Sequence, residues 1–286
     1  MTFRFIDEHR EQWPVRLLCD ALDVSPAGYY AWRERPIGAR QQRQDALLVE
    51  IRAIHAEFKA RYGSPRVHAE LAARGQGCCL NTVAKLMHDN DIRAKTARKF
   101  RCTTDSNHGL PVADNLLDRQ FDPDAVNEAW VADITYIPTR EGWLYLAAIL
   151  DLHSRAMVGW AMSRTLDAKL GSDALEMAIQ QRGSAPKILH SDQGSNYSTA
   201  QYRQLLAKHR IRQSMSRKGD CWDNAPMESF FHTLKTELVM HCDYRTRDQA
   251  RASLFDYMET FYNRQRRHST INYEAPLAFE AAHAAI

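Results

Sequence analysis

The chain has 286 residues, a formal net charge of +3 and 44% hydrophobic residues, which suffices for two or three compact units with a proper core. Charged residues among the first twenty exclude a signal peptide, and the longest apolar run, Trp143 to Leu150, is too short to cross a bilayer. The six cysteines lack framework spacing, so we expect reduced thiols in an intracellular protein without membrane contact.

The first segment, residues 1–38, is predicted to hold two short helices around a tight turn. A helical apolar pattern runs from Pro14 to Leu22, and Ser25 and Pro26 form a cap and first-turn pair for a second helix through Arg33. This order is typical of a helix-turn-helix unit, and equally of a helical pair that only packs on its neighbours.

A second helical module is predicted over residues 39–95. It starts with a long amphipathic helix from Gln42 to Phe58 and continues with two shorter helices that begin near Ser64 and Asn81. Contact with DNA and a cap over the following domain both remain open for this module. The nearest candidates for a zinc site are His55, His68, Cys78 and Cys79. Their spacing does not match paired zinc ligands, which disfavours that site.

Residues 96–120 are polar and lack periodicity, which indicates a linker. Five of the nine residues from Arg93 to Arg101 are basic, so this stretch would attract phosphate without reading sequence. A solvated charged loop explains the pattern equally well. The candidate DNA contacts here are Arg93, Lys95, Arg98 and Lys99.

From Trp130 the pattern changes to strands. A β-rich run ends near Pro138, a hairpin turn follows at Glu141, and two further strands span Trp143 to Leu150 and Arg155 to Met162. A helix from Asp167 to Arg182 precedes a fourth strand, which ends at Asp192. The remaining order of helix, strand, helix predicts an α/β domain with a mixed five-stranded sheet over residues 121–240.

Three carboxylates stand out in this domain. Asp133 lies within the first strand, Asp192 lies where the fourth strand meets a glycine turn, and Glu228 lies in the first turn of a helix whose N-terminus favours its ionised form. A buried carboxylate is costly unless it is compensated, and sharing a divalent metal would compensate Asp133. A site made of carboxylate oxygens, without a cluster of thiols or imidazoles, indicates Mg²⁺ or Mn²⁺. Two such ions could activate the attacking oxygen and stabilise the leaving oxygen of a phosphoryl displacement. The rival acids are Asp151, a turn acid, and Asp173 and Glu176, on a solvated helix face.

Three motifs carry a resemblance to a known family. They are Trp130-x-x-Asp133-Ile-Thr-Tyr, His190-Ser-Asp192-x-Gly-Ser-Asn-Tyr197, and the run from Lys218 through Glu228 to Lys235-x-Glu237. In this order they resemble the integrase core of bacterial insertion-sequence transposases, and most of all the second-frame, OrfB-type transposase of the insertion-sequence three family. The resemblance covers nearly the whole chain. One departure is Pro226-Met227, where small or apolar residues are expected before the acid.

The resemblance implies an RNase H-like fold, helix-turn-helix-like modules before the core, and a DDE triad of Asp133, Asp192 and Glu228. His190 and Asn224 are expected to support the triad. Lys235, Arg217 and Lys218 are expected to hold DNA phosphates. In the C-terminal extension, residues 241–286, a closing helix from Asp248 to Arg267 would present Arg266 and Arg267 to DNA.

The implied activity is metal-dependent cleavage at the ends of an insertion sequence, followed by direct attack of the freed 3′-hydroxyl on target DNA. Expected partners are the terminal inverted repeats, target DNA, further copies of the chain in a synaptic complex, and an upstream-frame helix-turn-helix protein or a fusion with it. The bacterial cytosol, near the nucleoid, is the expected location. Two alternatives remain, namely an RNase H-like nuclease without strand transfer and a non-catalytic DNA-binding regulator.

Overall fold

A computed structural model describes residues 2–36, 38–96 and 111–283. Its first helices are α1 (Thr2–His9), α2 (Val15–Ala21) and α3 (Pro26–Glu34). The predicted pair is confirmed as α2 and α3, because the Gly28 amide donates to Ser25 Oγ at 3.0 Å and caps α3 as expected. Helix α1, which the sequence pattern did not predict, contributes Ile6 to a small core with Cys19 and Tyr29.

The second helical module contains α4 (Ala39–Glu57), α5 (Ser64–Ala73) and α6 (Leu80–Asp89). The predicted apolar stripe of α4 is buried at Leu47, Ile51 and Ile54, because this face packs in the main core. The module also contacts the C-terminal extension. Tyr62 donates its hydroxyl to the Gln265 carbonyl at 3.1 Å, so these two segments are held together.

The central element is a five-stranded sheet with the order β3-β2-β1-β4-β5. Its strands are β1 (Ala129–Thr139), β2 (Gly142–Asp151), β3 (Met157–Ser163), β4 (Ile188–Ser191) and β5 (Arg212–Met215). The first three strands are antiparallel neighbours, whereas β4 pairs in parallel with both β1 and β5. The mixed five-stranded sheet expected from the sequence is therefore confirmed.

Helices cover both faces of the sheet. One face packs against α7 (Ala168–Arg182) and α8 (Ala200–Lys208). The approach of α7 requires Gly159, since a Cβ there would lie 2.4 Å from the Ala174 carbonyl oxygen. The other face packs against α9 (Ala225–Glu237), α10 (Arg247–Phe255) and the second helical module. Strand β1 is thus buried from both sides, as its largely apolar sequence predicted.

The closing helix differs from its prediction. Helix α10 ends at Phe255 and continues as a π-helical segment, Asp256–Tyr262, which places Tyr257, Met258 and Phe261 in the main core. The chain turns before Arg267 and ends the described region with α11 (Pro276–His283). The predicted boundaries between segments stay predictions, although one core joins residues 47–92, the sheet and the C-terminal extension. Among the helices described, none has the length and apolar character to cross a membrane.

Candidate active site

Strand pairing brings two of the predicted acids together. The parallel ladder between β1 and β4 ends at the pair Ala132 and Ser191, and Asp133 and Asp192 are the next residues of their chains. Neighbouring strands lie about 4.8 Å apart, so the backbones of these two aspartates lie side by side at the same end of the ladder. At this separation the charge of Asp192 raises the pKa of Asp133.

Both aspartates are oriented by backbone amides. Asp133 Oδ1 accepts a hydrogen bond from the Ile134 amide at 2.7 Å, and Asp192 Oδ1 accepts one from the Gly194 amide at 2.9 Å. A Cβ on residue 194 would lie only 2.8 Å from Asp192 Oδ1. A side chain at position 194 would therefore push the Asp192 carboxylate out of this hydrogen bond.

The third acid comes from a helix that packs on β1. Glu228 lies in the first turn of α9 and keeps an exposed edge. A short 3-10 turn, Cys221–Asn224, leads into α9, and the Asn224 side chain makes no capping bond although its backbone occupies the cap position. Partial burial raises the pKa of Glu228. This direction is opposite to the preference for the ionised form expected from the helix N-terminus, and its cause is lost hydration.

The charges of the other two acids act on Asp133. Burial, followed by the charges of Asp192 and Glu228, raises the pKa of Asp133 well above its usual range, while the Ile134 amide and Lys235 act in the opposite direction. Repulsion among carboxylates is the condition that a bound divalent cation relieves. Within residues 2–36, 38–96 and 111–283, no three His, Cys, Asp or Glu side chains are arranged so that they could together hold a metal ion as they stand.

His190 and Asn224 lie close to the acids in the fold, and each bonds to a neighbouring element. The two ring nitrogens of His190 lie 2.8 Å from Ser214 Oγ and 3.1 Å from Ser216 Oγ. Burial lowers the pKa of His190 to about 4, so the ring is neutral at pH 7 and links β4 to β5. Asn224 donates from Nδ2 to the Ala132 carbonyl at 3.3 Å, directly before Asp133.

A buried ionic cluster, which sequence reasoning missed, holds the loop before α9. The fully buried Asp223 carboxylate accepts from Arg217 Nε at 2.9 Å, from Arg119 Nε at 2.8 Å and from Asn115 Nδ2 at 2.9 Å. The hydrogen bonds from Arg217 hold the pKa of Asp223 below its usual range. The sequence suggested Asp223 only as a possible helix cap and Arg217 only as a DNA contact, because Arg119 and Asn115 are distant in sequence. The cluster fixes the start of the helix that carries Glu228.

Replacing Asp223 with asparagine is expected to lower stability by about 1–3 kcal/mol at pH 7, the range for hydrogen bonds to charged groups. The pKa of Asp223 is lower in the folded than in the unfolded protein. This stabilisation is therefore complete above the unfolded value of about 3.9, and it is lost progressively as the pH falls from there through the lower folded pKa. Urea denaturation at pH 7 and pH 3.5 should therefore show a difference between the two proteins that shrinks in acid. Asp243→Asn, at an exposed pair with Arg140, is the control with little effect at either pH. If the difference between Asp223→Asn and the wild type does not change with pH, the Asp223 carboxylate does not have a lowered pKa in the folded protein.

The basic residues predicted to contact DNA fall into two groups. Those in the first group are exposed to solvent or lie close to the three acids. Lys235 is half-buried near the end of α9, where its charge lowers the pKa of Asp133. Lys218 lies exposed in the loop before α9, and the Arg93 side chain is 82% exposed beside Asp91. The other two members of the predicted linker run, Arg98 and Lys99, lie outside the described residues.

The second group is engaged within the protein. Arg266 is only 3% exposed and donates to both carboxylate oxygens of Glu237, so its position is not compatible with the predicted DNA contact. Arg267 donates to Glu70 at 2.6 Å, and Lys95 donates to the Glu237 carbonyl at 3.1 Å. Arg217 serves the Asp223 cluster. Arginine has several donors on a long side chain, so an arginine near a helix end can turn inward as easily as outward.

The rival acids are separated from the site. Asp151 is fully buried and accepts hydrogen bonds from the Asn127 amide at 2.7 Å, the His153 amide at 2.8 Å and the Trp130 indole at 3.1 Å. It is thus a turn acid, as predicted, although it is buried. Asp173 and Glu176 lie on the exposed face of α7, as the sequence pattern also predicted.

Comparisons with known proteins agree with this architecture. Two models described as an integrase core domain match residues 123–221 and 209–276, and a model described as an HTH-like domain matches residues 42–100. Transposase InsF for insertion sequence IS3A of Escherichia coli (strain K12) is 42% identical over 284 residues, covering 98% of each chain. The insertion element IS600 uncharacterized 31 kDa protein of Shigella sonnei is 44% identical over 263 residues, covering 92% of this chain and 97% of that one. Among solved structures, a simian T-cell lymphotropic virus intasome in complex with PP2A regulatory subunit B56 gamma matches with a TM-score of 0.48 and 14% identity, over 80% of this chain and 73% of that chain.

Proposed function

Since the chain belongs to the family of insertion-sequence IS3 transposases, we propose that Asp133, Asp192 and Glu228 are the catalytic acids with which it cleaves and joins DNA. The chain is a DDE transposase, a polynucleotidyl transferase with an integrase core. The assignment of these three residues rests on their convergence, since the β1–β4 register sets two aspartates side by side and α9 brings a third carboxylate whose charge acts on Asp133.

The donor chemistry of the site suits a divalent metal. Carboxylate oxygens are the ligands that Mg²⁺ and Mn²⁺ prefer, and the raised pKa of Asp133 reflects negative charge that a cation would neutralise. Asp133 and Asp192 would hold the metal, and Glu228 would complete the site by turning inward from its exposed edge. When bound, two such ions activate the attacking oxygen and stabilise the leaving oxygen of a phosphoryl displacement. We include two Mg²⁺ or Mn²⁺ ions in the proposal.

The reaction proceeds in two displacements at phosphorus. In the first, a water oxygen forms a bond to phosphorus at the element end while the bond to the 3′-oxygen breaks, which frees a 3′-hydroxyl. In the second, that hydroxyl attacks a phosphodiester of the target DNA and displaces another 3′-oxygen, so no protein–DNA bond is needed. Asp133 and Asp192 are held by backbone amides, and this preorganisation positions the site for both steps.

DNA is the proposed partner on the same side as the triad. Lys235 beside Asp133 and Lys218 in the loop before α9 would hold phosphates near the reacting bond. Arg93 and the second helical module, matched by the HTH-like model, would contact the terminal inverted repeat further away. Oligomerisation in a synaptic complex, a partnership or fusion with an upstream-frame protein, and a place in the bacterial cytosol also belong to this proposal.

A strand-transfer assay tests the proposed function. Purified chain, with and without an upstream-frame fusion, is mixed with a labelled element-end duplex, a target plasmid and Mg²⁺ or Mn²⁺. Joined product that is absent in the presence of a chelator supports the proposal. Cleavage without joining would favour a nuclease, and end binding without any product in both forms would favour a regulator.

Replacing Lys218 with glutamine is expected to weaken binding to an element-end duplex at low salt and to reduce the slope of log affinity against log salt by about 0.9. This is the change for one lost contact with a duplex phosphate. Fluorescence anisotropy over a salt series measures it. Lys169→Gln is the matched control, because Lys169 lies on α7 across the sheet from α9 and pairs with Asp173. Equal slopes for both variants would remove Lys218 from the DNA surface.

A further inference from the structure

A cavity lies beside α9, the helix that carries Glu228. It has a volume of about 380 Å³ and is lined by three arginines from different parts of the chain, namely Arg66, Arg155 and Arg266. Arg66 belongs to α5, Arg155 lies in the turn between β2 and β3, and Arg266 follows the π-helical segment. Ser229 of α9 and Thr270 add hydroxyl groups to the wall. We call this cavity the arginine pocket.

The arginine pocket carries more positive charge than the carboxylates paired with its arginines neutralise. Glu237 is committed to Arg266, with its Oε1 at 2.7 Å from Arg266 Nη2 and 3.9 Å from the nearest nitrogen of Arg66. Arg155 pairs with Asp122 at 2.6 Å, but the Asp122 side chain is 89% exposed. Three guanidinium groups thus face two carboxylates, one of which lies in solvent. The surplus is one positive charge.

His268, which also lines the pocket, is affected by this surplus of positive charge. Burial, followed by the charges of Arg266, Arg66 and Arg155, lowers the pKa of His268 well below its usual range. Arg66 likewise has a lowered pKa, caused by burial and then by the charge of Arg266. The arginines therefore repel one another and exclude a further positive charge from His268. An anion in their midst would be stabilised for the same reason.

Arg155 also has a hydrogen-bond donor that is not used within the described part of the protein. Among the residues described, the Arg155 Nε–H is buried and has no hydrogen-bond partner. A buried donor without an acceptor costs free energy, which an oxygen ligand would recover. Guanidinium forks and hydroxyl groups are the usual ligands of phosphate oxygens.

We propose that the arginine pocket binds a phosphate group through Arg155 and Arg66. When phosphate is absent, the exposed Asp122 carboxylate occupies part of the hydrogen-bonding edge of the Arg155 guanidinium group. The proposal rests on the proposed function in so far as the phosphate is supplied by a DNA backbone. Free inorganic phosphate would bind through the same two arginines. A phosphate held there touches the face of α9 that contains Ser229, one residue from Glu228, so this site would anchor DNA against the back of the catalytic helix.

Two variants with opposite expected effects test the proposal. Arg155→Gln removes a ligand and should reduce phosphate binding, whereas Asp122→Asn removes a competing carboxylate and should increase it. The change at Asp122 alters only an exposed side chain, so it keeps the test valid even if Arg155→Gln fails to fold. Lys169→Gln is the control that removes one charge from the opposite side of the sheet.

The first measurement is thermal unfolding of the full chain in inorganic phosphate and in chloride at equal ionic strength. A ligand that binds only the folded state raises the unfolding temperature, so phosphate should stabilise the wild type and the control beyond chloride. We expect a smaller increment for Arg155→Gln and a larger one for Asp122→Asn. This measurement involves neither catalysis nor element ends, so it separates the pocket from the proposed function.

The second measurement is the salt dependence of binding to an element-end duplex. A slope reduced by about 0.9 for Arg155→Gln, relative to the control, assigns the phosphate to the DNA backbone. A phosphate-specific thermal effect with an unchanged slope assigns the pocket to free phosphate. If both variants match the control in both measurements, the pocket does not bind phosphate, even when strand transfer proceeds normally.

Discussion

Asp192→Asn is expected to abolish cleavage and strand transfer while binding to the element end is retained. Asp192 and Asp133 hold adjacent positions at the end of the β1–β4 ladder, so the change removes half of the paired carboxylates that would hold metal. Metal ions contribute several kcal/mol to the stabilisation of charge in the transition state, and each 1.36 kcal/mol is a factor of ten. We therefore expect a loss of about a thousandfold or more in the rate of product formation.

Binding to the element end should survive because asparagine retains the size of the side chain and an oxygen that can accept from the Gly194 amide. The assay compares single-turnover cleavage and duplex affinity for the wild type and the variant. Asp173→Asn is the matched control, since Asp173 is an exposed acid on α7. A normal rate for Asp192→Asn would exclude Asp192 from the triad, and loss of binding together with loss of secondary structure would indicate misfolding instead.

A second measurement on the same variant does not depend on catalysis. Removing the Asp192 charge should lower the pKa of Asp133, because that charge is the largest contribution to its raised pKa after burial. It should also weaken Mn²⁺ binding, measured by calorimetry without DNA. Unchanged Mn²⁺ affinity would separate Asp192 from the metal site.

Arg266→Met is expected to destabilise the fold by about 3–5 kcal/mol, the cost of leaving one member of a buried ion pair without its partner. Arg266 is 3% exposed, and its partner Glu237, at the end of α9, is 4% exposed. The Tyr257 hydroxyl also donates to Glu237 at 2.8 Å, so the pair connects the catalytic helix to the C-terminal extension. Guanidinium denaturation measures the loss.

Two further variants separate the ion pair from other causes. Glu237→Gln combined with Arg266→Met removes both charges of the pair, so the double variant should be more stable than Arg266→Met alone, in which the Glu237 carboxylate is buried without Arg266. Arg93→Met, at an exposed pair with Asp91, should change stability by at most about 1 kcal/mol. A double variant that loses the sum of both single effects would show that Arg266 and Glu237 act independently.

The same pair explains why the DNA contact predicted for Arg266 does not agree with the structure. Arg266 follows a helix in a basic stretch, a pattern that favours a solvent-exposed or DNA-facing charge. Its partner lies 29 residues earlier in the chain, and Asp223 likewise finds Arg119 at a separation of 104 residues. No local pattern predicts which charges will meet across such distances.

The sequence by itself determined the strands and helices of the core, the glycine turn after Asp192 and the three candidate acids. These features depend on local alternation, turn chemistry and ordered motifs, which are properties of neighbouring residues. It did not determine the first helix, the π-helical segment or the roles of Arg217 and Arg266. Those depend on the tertiary structure, because the fate of a charged side chain is decided by the partner and the degree of burial that folding supplies, and both come from distant parts of the chain.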